Sequence, residues 1–330
     1  MRGWDPPPRI PTFRNDETVG RAAVWAVAGA ALLAAAFLTV LGLGDNAEAF
    51  PNWQALILGL VQGATELLPI SSSGHLILVP WLADWEYLKE NDAFNQTFDV
   101  SLHLGTLVAV VLYFRADLVR LAAAWLGTIR RRRIETVDER IAWYVAAATV
   151  PAAIVGAVGE NLIAENLGEP WQIAILLAVF AIVLYAADRR PQTTEMGEIG
   201  FRSAVAVGVA QTLSLMPGVS RSGITITAGR LLGLDRDSAA RFSFLLLVPI
   251  TFGAVAYKGI GDVLLADLPP GTAGPFVVGS LASLASALVA ISALLGYVRR
   301  HDYSLFVVYR LLAAAIVLLL IASGVRTAGF

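Results

Sequence analysis

The sequence predicts an all-α polytopic membrane protein arranged as an inverted repeat. Each half is expected to hold one re-entrant helical hairpin and three transmembrane helices, and an extra N-terminal transmembrane helix precedes them. Three observations lead to this architecture: few charges, long apolar runs, and two runs broken by polar residues. Of the 330 residues, 57% are hydrophobic and 15% are charged, whereas soluble domains average about 25% charged residues. The bilayer is therefore the expected solvent for most of the chain.

Composition also excludes several kinds of function. The chain has no cysteine, which rules out disulfides, thiolate metal sites and cysteine nucleophiles. The net charge of -2 gives no indication of a nucleic-acid partner, because nucleic-acid-binding domains are typically basic.

The N-terminal region divides into a tail and an additional helix. Residues 1–21 begin with a stretch rich in proline and arginine and are predicted to be a cytoplasmic tail. The apolar run 22–43 is longer than the core of a cleavable signal peptide. It is also long enough to cross a bilayer, which takes about 20 residues. We therefore expect a retained transmembrane helix there.

Two of the apolar segments that follow differ from simple spans. The apolar segments that follow residue 50 are 53–82, 98–114, 141–158, 170–187, 202–234, 241–258, 274–297 and 303–323. Segments 53–82 and 202–234 are interrupted by proline, glycine, serine and charged residues. Non-helical backbone at membrane depth persists only where protein or a watery cavity satisfies it. Both segments are therefore predicted to be re-entrant hairpins.

The basic clusters predict the topology. Arginines cluster at 130–133, 189–190 and 299–300, and short loops rich in arginine lie in the cytoplasm. With all three clusters inside, 202–234 must both start and end inside, and 53–82 must start and end outside. The result is seven spanning helices and two hairpins, with the first hairpin open to the outside.

An internal repeat supports this arrangement. A shift of 149 residues places Gln62 on Gln211, and Ser71 on Ser220. The membrane domain, 52–323, then divides into halves of about 52–188 and 200–323. Because each half holds three spans, an odd number, the second half is expected to be inverted. Inverted repeats with broken helices place ligand sites near the midplane, where the two serine-rich loops are expected to meet.

The first loop offers a carboxylate and an imidazole. Glu66 follows Gln62 by one helical turn, so both share a face. Together they could hold a divalent cation, or Glu66 could handle a proton. His75 could be a nucleophile, a general acid or a general base, or a structural residue. His103 and His301 are interpreted as structural.

The second loop offers a guanidinium. Arg221 suits bidentate phosphate binding, and the plainer alternative is a salt bridge to Glu66. Ser72 aligns with Arg221 in the repeat, so it is expected to point to the same centre, as a nucleophile or a phosphate ligand. The residues predicted to bind substrate are Gln62, Ser71, Ser73, Gly218, Ser220, Ser222, Gly223 and Thr225. Of these, Ser71 and Ser73 are expected chiefly to shape the first loop.

These motifs resemble those of the undecaprenyl-diphosphatase family, the bacitracin-resistance type. The resemblance rests on Gln62 to His75 and Pro217 to Thr225, with support from His103 to Leu107 and Arg241 to Leu245, and it covers about 52–323. It implies an inner-membrane hydrolase with a divalent cation, Mg²⁺ or Ca²⁺. Such an enzyme converts a C55 polyprenyl diphosphate to the monophosphate, which recycles the cell-wall carrier lipid and confers bacitracin resistance.

The resemblance also implies roles and partners. Glu66, Ser72, His75 and Arg221 become the catalytic set, with Glu66 as metal ligand, and the attacking group is Ser72, His75 or a water. The implied partners are the polyprenyl lipid, the bilayer and a second copy in a homodimer, but no nucleic acid. The active site is expected to face outward. Two departures stand out: position 62 is Gln where many relatives have Glu, and the helix at 22–43 is an addition to the family core.

Two other functions compete with hydrolysis. A polyprenyl-phosphate transporter, or flippase, would use the same inverted repeat, but transport needs only binding and would not need Glu66 and His75 beside Arg221. The run Ser73-Gly74-His75 is similar to a motif of type-2 phosphatidic-acid phosphatases. Those enzymes also need a histidine after Ser-Arg, and none follows Arg221 until His301, so this second alternative is rejected.

Overall fold

A computed structural model describes residues 17–42, 50–258 and 272–329, and within these ranges the chain is helical and forms no strand. Most of the predicted cytoplasmic tail lies outside them. The α-helices are α1 (Glu17–Leu41), α2 (Asn52–Leu67), α3 (Ser72–Ala83), α4 (Glu86–Glu90), α5 (Asp92–Tyr113), α6 (Arg115–Arg131), α7 (Val137–Asn166), α8 (Pro170–Asp188), α9 (Phe201–Gln211), α10 (Arg221–Leu231), α11 (Arg236–Lys258), α12 (Ala273–Val298) and α13 (Ser304–Ala322).

The predicted number of spans is confirmed among the described residues. Seven helices are long and apolar enough to cross a membrane, and they lie within α1, α5, α7, α8, α11, α12 and α13. The chain is thus a multi-pass membrane protein. Helix α6 was not predicted as a separate element. It carries Arg115, Asp117 and Arg120 among its apolar residues, so it is too polar to span and instead packs beside α7.

Both predicted hairpins are pairs of short helices with adjacent ends. Helices α2 and α3, like α9 and α10, are each shorter than the roughly 20 residues of a span. At the open end of the first hairpin, the rings of Trp53 and Trp85 lie 5.3 Å apart, centroid to centroid. At that of the second, the backbone N–H of Asp235 donates to the carbonyl of Thr194 over 3.0 Å. Each hairpin therefore returns to the level at which it started, as a re-entrant segment must.

The hairpins pack on equivalent partners through equivalent glycines. Helix α2 packs on α12 and α9 packs on α7. A Cβ added at Gly59 would collide with the carbonyl of Gly279, and one at Gly208 with the carbonyl of Ala148. Small residues allow such close helix approach inside membranes. The equivalent packing of the two hairpins agrees with a two-fold repeat, while the inversion of the second half stays a prediction.

The extra helix α1 lies against the outside of this frame. It packs mainly on α12, and its buried side chains are small and spaced along one face: Val24, Ala28, Ala31 and Ala35. Helix α12 is also the helix on which α2 of the first hairpin packs, and α1 makes a smaller contact with α2 itself.

A buried ionic cluster closes the open end of the second hairpin. One Asp188 carboxylate oxygen accepts from Arg230 Nε over 3.0 Å and from Arg236 Nε over 2.8 Å. The other accepts from the backbone N–H of Tyr303 over 3.0 Å. Because Arg230 is fully buried, removing its carboxylate partner would leave an uncompensated charge. The cluster ties α8, α10, α11 and α13 together.

Candidate active site

An ion pair between the two hairpins forms the centre of the site. Arg221, the first residue of α10, donates from Nε to Glu66 Oε1 over 3.1 Å, and both side chains are nearly buried. The salt bridge considered as the plainer alternative is therefore present. It does not use the whole guanidinium, because Arg221 Nη2 is buried and finds no hydrogen-bond partner among the described residues. That donor is available to a phosphate oxygen.

Ser72 shares the same carboxylate. Its Oγ–H donates to Glu66 Oε2 over 2.5 Å, and Gln62 Nε2 lies 3.4 Å from the same oxygen. Ser72 and Arg221, which align in the repeat, therefore converge on one carboxylate, as the sequence predicted. A hydroxyl that donates to a carboxylate has an acceptor in place for its proton, which is the arrangement that activates a serine nucleophile.

The turns before α3 and α10 have the same unusual backbone. Ser71 has φ 78° and Ser220 has φ 76°, in the left-handed region that disfavours residues with a Cβ. Each side chain accepts from the backbone N–H of a glycine three residues on, Gly74 at 3.4 Å and Gly223 at 3.0 Å. The hydroxyls thus cap the helices that follow. The expectation that Ser71 shapes its loop agrees with this contact.

The two turns are also hydrogen-bonded to each other. Ser71 Oγ accepts from the backbone N–H of Gly218 over 3.1 Å. Ser222 Oγ donates to the carbonyl of Leu68 over 2.9 Å. Ser73 Oγ lies 3.5 Å from Ser71 Oγ, and Thr225 Oγ1 lies 2.8 Å from the carbonyl of Arg221. The predicted substrate-binding residues are therefore gathered at one place, and their contacts with substrate stay a prediction.

The two histidines near the site have different surroundings. His75 Nδ1 lies 2.7 Å from the carbonyl of Ser71, and its Nε2 lies 2.7 Å from the Tyr309 hydroxyl. Both of its ring nitrogens are thus engaged away from the carboxylate. His103, interpreted from sequence as structural, has Nε2 only 3.7 Å from Glu66 Oε2. One sequence signal could have identified His103 as a site residue: it begins the segment His103 to Leu107, which is one of the segments that resemble the family.

Arg310 is a further residue that sequence reasoning missed. It is fully buried in α13 and donates to backbone carbonyls of both turns, Pro69 at 3.3 Å and Gly218 at 3.0 Å. It also donates to Val219 and Leu177. A charge inside an apolar span was the available signal, but segment 303–323 was interpreted as a plain helix.

The residues present fit a cation that binds together with substrate. No group of three or more acidic, histidine or cysteine side chains suited to a metal occurs in the described part of the chain. However, Gln62 Oε1 is buried and, within the described ranges, unpaired, next to the Glu66 carboxylate. Mg²⁺ commonly uses one or two carboxylates and completes its shell with substrate phosphates and water. Glu66 and Gln62 are the residues that would hold it.

A buried arginine with a free donor, set between two broken helices inside a membrane bundle, defines a membrane-embedded protein built to handle a phosphate group. Comparison with known proteins identifies the family. Residues 55–316 match the model of the family described as bacitracin resistance protein BacA, and the chain belongs to that family.

The similar proteins found by comparison are named as enzymes. The undecaprenyl-diphosphatase of Gemmatimonas aurantiaca is 44% identical over 272 residues, which cover 82% of this chain and 98% of that protein. The undecaprenyl-diphosphatase of Pelotomaculum thermopropionicum is 43% identical over 280 residues, or 84% and 99%. The family match begins at residue 55, after α1; that this helix is an addition to the family core stays a prediction.

Proposed function

We propose that this chain hydrolyses undecaprenyl diphosphate to the monophosphate and inorganic phosphate, which recycles the cell-wall carrier lipid and confers bacitracin resistance. The observation that carries the proposal is the Glu66–Arg221 pair, in which Arg221 Nη2 has no hydrogen-bond partner among the described residues and the Glu66 carboxylate also accepts from Ser72. Membership of a family whose named relatives are undecaprenyl-diphosphatases supplies the substrate.

The residues of the centre divide the work. Arg221 binds the diphosphate and offsets charge on its oxygens. Ser72 Oγ attacks the distal phosphorus as its proton passes to Glu66. The bond from that phosphorus to the bridging oxygen breaks, and the lipid monophosphate leaves. Water then attacks the phosphoserine and releases inorganic phosphate, while Glu66 returns the proton to Ser72. We prefer Ser72 to His75 as nucleophile because both ring nitrogens of His75 are already engaged.

A divalent cation, Mg²⁺ or Ca²⁺, is part of the proposal. Glu66 and Gln62 would hold it, and when bound it would neutralise charge on the diphosphate. Glutamine at position 62 leaves this site with one carboxylate, so we expect the cation to arrive largely as a complex with the substrate.

The membrane side and assembly are also proposals. The basic residues 130–133 lie at the C-terminal end of α6 and in the connection that follows it, and the positive-inside rule places such a connection in the cytoplasm. The first hairpin then opens outward, and the active site of this plasma-membrane enzyme faces outside. A homodimer is the assembly we propose.

A transporter of polyprenyl phosphates is the second candidate. It is favoured by two broken hairpins that meet at a buried charged pair, because such helices form the substrate sites of many transporters. Hydrolysis accounts better for Ser72, whose hydroxyl is bonded to the carboxylate.

Phosphate release from C55 polyprenyl diphosphate by the purified protein in detergent tests the proposal. We expect release that a chelator abolishes, and losses of about 100-fold or more in Arg221→Ala and Glu66→Ala. The exposed Arg140 offers a matched control, since Arg140→Ala removes the same charge away from the site. A folded wild type that binds the lipid but releases no phosphate would favour the transporter.

A further inference from the structure

His103 faces the reaction centre from a third element, outside both hairpins. It lies in α5, and its Nε2 is 3.7 Å from Glu66 Oε2. This distance is within ion-pair range but too long for a hydrogen bond. Glu66 therefore lies between Arg221 on one oxygen and His103 on the other. Because both donors approach the same carboxylate, one diphosphate group at this centre can be reached by both.

The other side of the ring is fixed. His103 Nδ1 lies 2.8 Å from the carbonyl of Asp99, which can only accept, so Nδ1 donates. That bond orients the ring and directs Nε2 toward Glu66. The His103 side chain is also 34% exposed, whereas His75 is 8% exposed with both nitrogens engaged. Of these two imidazoles, only His103 combines contact with the carboxylate and access for a ligand.

We propose that His103 is a substrate-contacting residue: with both ring nitrogens protonated, it donates from Nε2 to an oxygen of the bound diphosphate, while Nδ1–H donates to the Asp99 carbonyl and fixes the ring. The inference rests on the proposed function for the identity of the ligand. The two nitrogens have separable roles: Nδ1 orients the ring and Nε2 binds. His103 therefore completes, from α5, a phosphate site whose other donor is Arg221.

Two amide substitutions separate these roles. In His103→Gln, the amide nitrogen reaches the position of Nε2 but does not replace Nδ1. In His103→Asn, the amide reaches only the position of Nδ1, so it can keep the bond to Asp99 but not the contact with phosphate. The exposed His301, which stacks on Tyr297, provides the matched control His301→Ala.

The measurement is binding of a farnesyl methylenebisphosphonate, which has the charged head group but no hydrolysable bridge, by titration calorimetry in detergent with Mg²⁺. A hydrogen bond to a charged group is worth about a tenfold change in affinity or more. We expect such losses in His103→Ala and His103→Asn, near wild-type affinity in His103→Gln, and no change in His301→Ala. Thermal unfolding of each variant verifies that it is folded.

Three results would overturn the inference: wild-type binding by His103→Ala, full binding by His103→Asn, or binding by His103→Gln as weak as that of His103→Ala. Phosphate release by the same samples keeps the two proposals apart. A wild type that binds the analogue but does not hydrolyse the lipid contradicts the proposed function alone. A wild type that hydrolyses the lipid, with unchanged binding by His103→Ala, contradicts the inference alone.

Discussion

The two hairpins share a backbone and differ in their chemistry. In both, a serine with positive φ caps the second helix by accepting from a glycine N–H, Ser71 in the first and Ser220 in the second. The next residue differs. It is Ser72 in the first hairpin and Arg221 in the second, and both contact Glu66. The turn therefore serves as a frame that aims the following side chain at a common centre.

A repeated backbone can therefore hold an asymmetric site. The first hairpin supplies the carboxylate and hydroxyl, and the second supplies the guanidinium. The glutamines at equivalent positions diverge as well. Gln62 contacts Glu66, whereas Gln211 is buried with neither amide atom hydrogen-bonded within the part of the chain that the structure describes. One half of the repeat thus holds the acidic group, and the other presents a basic group on the matching frame.

Exchanging the charges of Glu66 and Arg221 should have the largest effect on activity. The double variant Glu66→Arg with Arg221→Glu restores an ion pair between the hairpins but moves the carboxylate away from Ser72. We expect phosphate release to fall about 1000-fold or more. Breaking a buried pair costs about 3–5 kcal/mol, so the double variant should recover stability relative to either single variant in detergent unfolding. Wild-type turnover by the double variant would show that the two hairpins are interchangeable.

Removing Arg310 should loosen both turns at once. In Arg310→Met the carbonyls of Pro69 and Gly218 lose their donor, and each buried group left unpaired costs about 1–3 kcal/mol. We expect a loss of about 3 kcal/mol or more in SDS-induced unfolding, accompanied by weaker activity. Leu312, largely exposed on the same helix, gives the control Leu312→Met, which should change neither. Unfolding of Arg310→Met at the wild-type midpoint would contradict this role.

The smallest expected effects on stability are those of removing the two serine caps, Ser71 and Ser220. Ser71 Oγ accepts from its own helix and from Gly218 of the other hairpin, whereas the hydrogen bonds of Ser220 Oγ, among the residues that the structure describes, stay within its own hairpin. Losing a cap costs about 1 kcal/mol, so Ser220→Ala should lose about that much and Ser71→Ala clearly more. Ser71→Gly should lose less than Ser71→Ala because glycine adopts positive φ without strain. Equal unfolding midpoints for the two alanine variants would exclude the asymmetry.

The number of spans, the two broken hairpins and the residues that meet between them were all predicted from the sequence. These features can be predicted because they depend on local composition. An apolar run long enough to cross the bilayer indicates a span, and a run interrupted by Pro, Ser, Gly and a charge indicates a broken hairpin. Glu66 and Arg221 were identifiable because a charge at membrane depth is costly unless it is paired or used. The matched positions of Ser72 and Arg221 followed from the register of the repeat.

The directions of the side chains depend on how the helices pack, and the sequence did not predict them. Whether His75 or His103 faces Glu66 depends on how α3 and α5 are rotated about their axes, and no local pattern encodes that rotation. The backbone carbonyls that accept from Arg310 lie between 91 and 241 residues away along the chain, so neither a motif nor a periodicity reveals them. Helix α6 was not predicted because its charged residues are typical of a loop between spans. Its apolar residues are accommodated by packing on α7, which the sequence alone does not show.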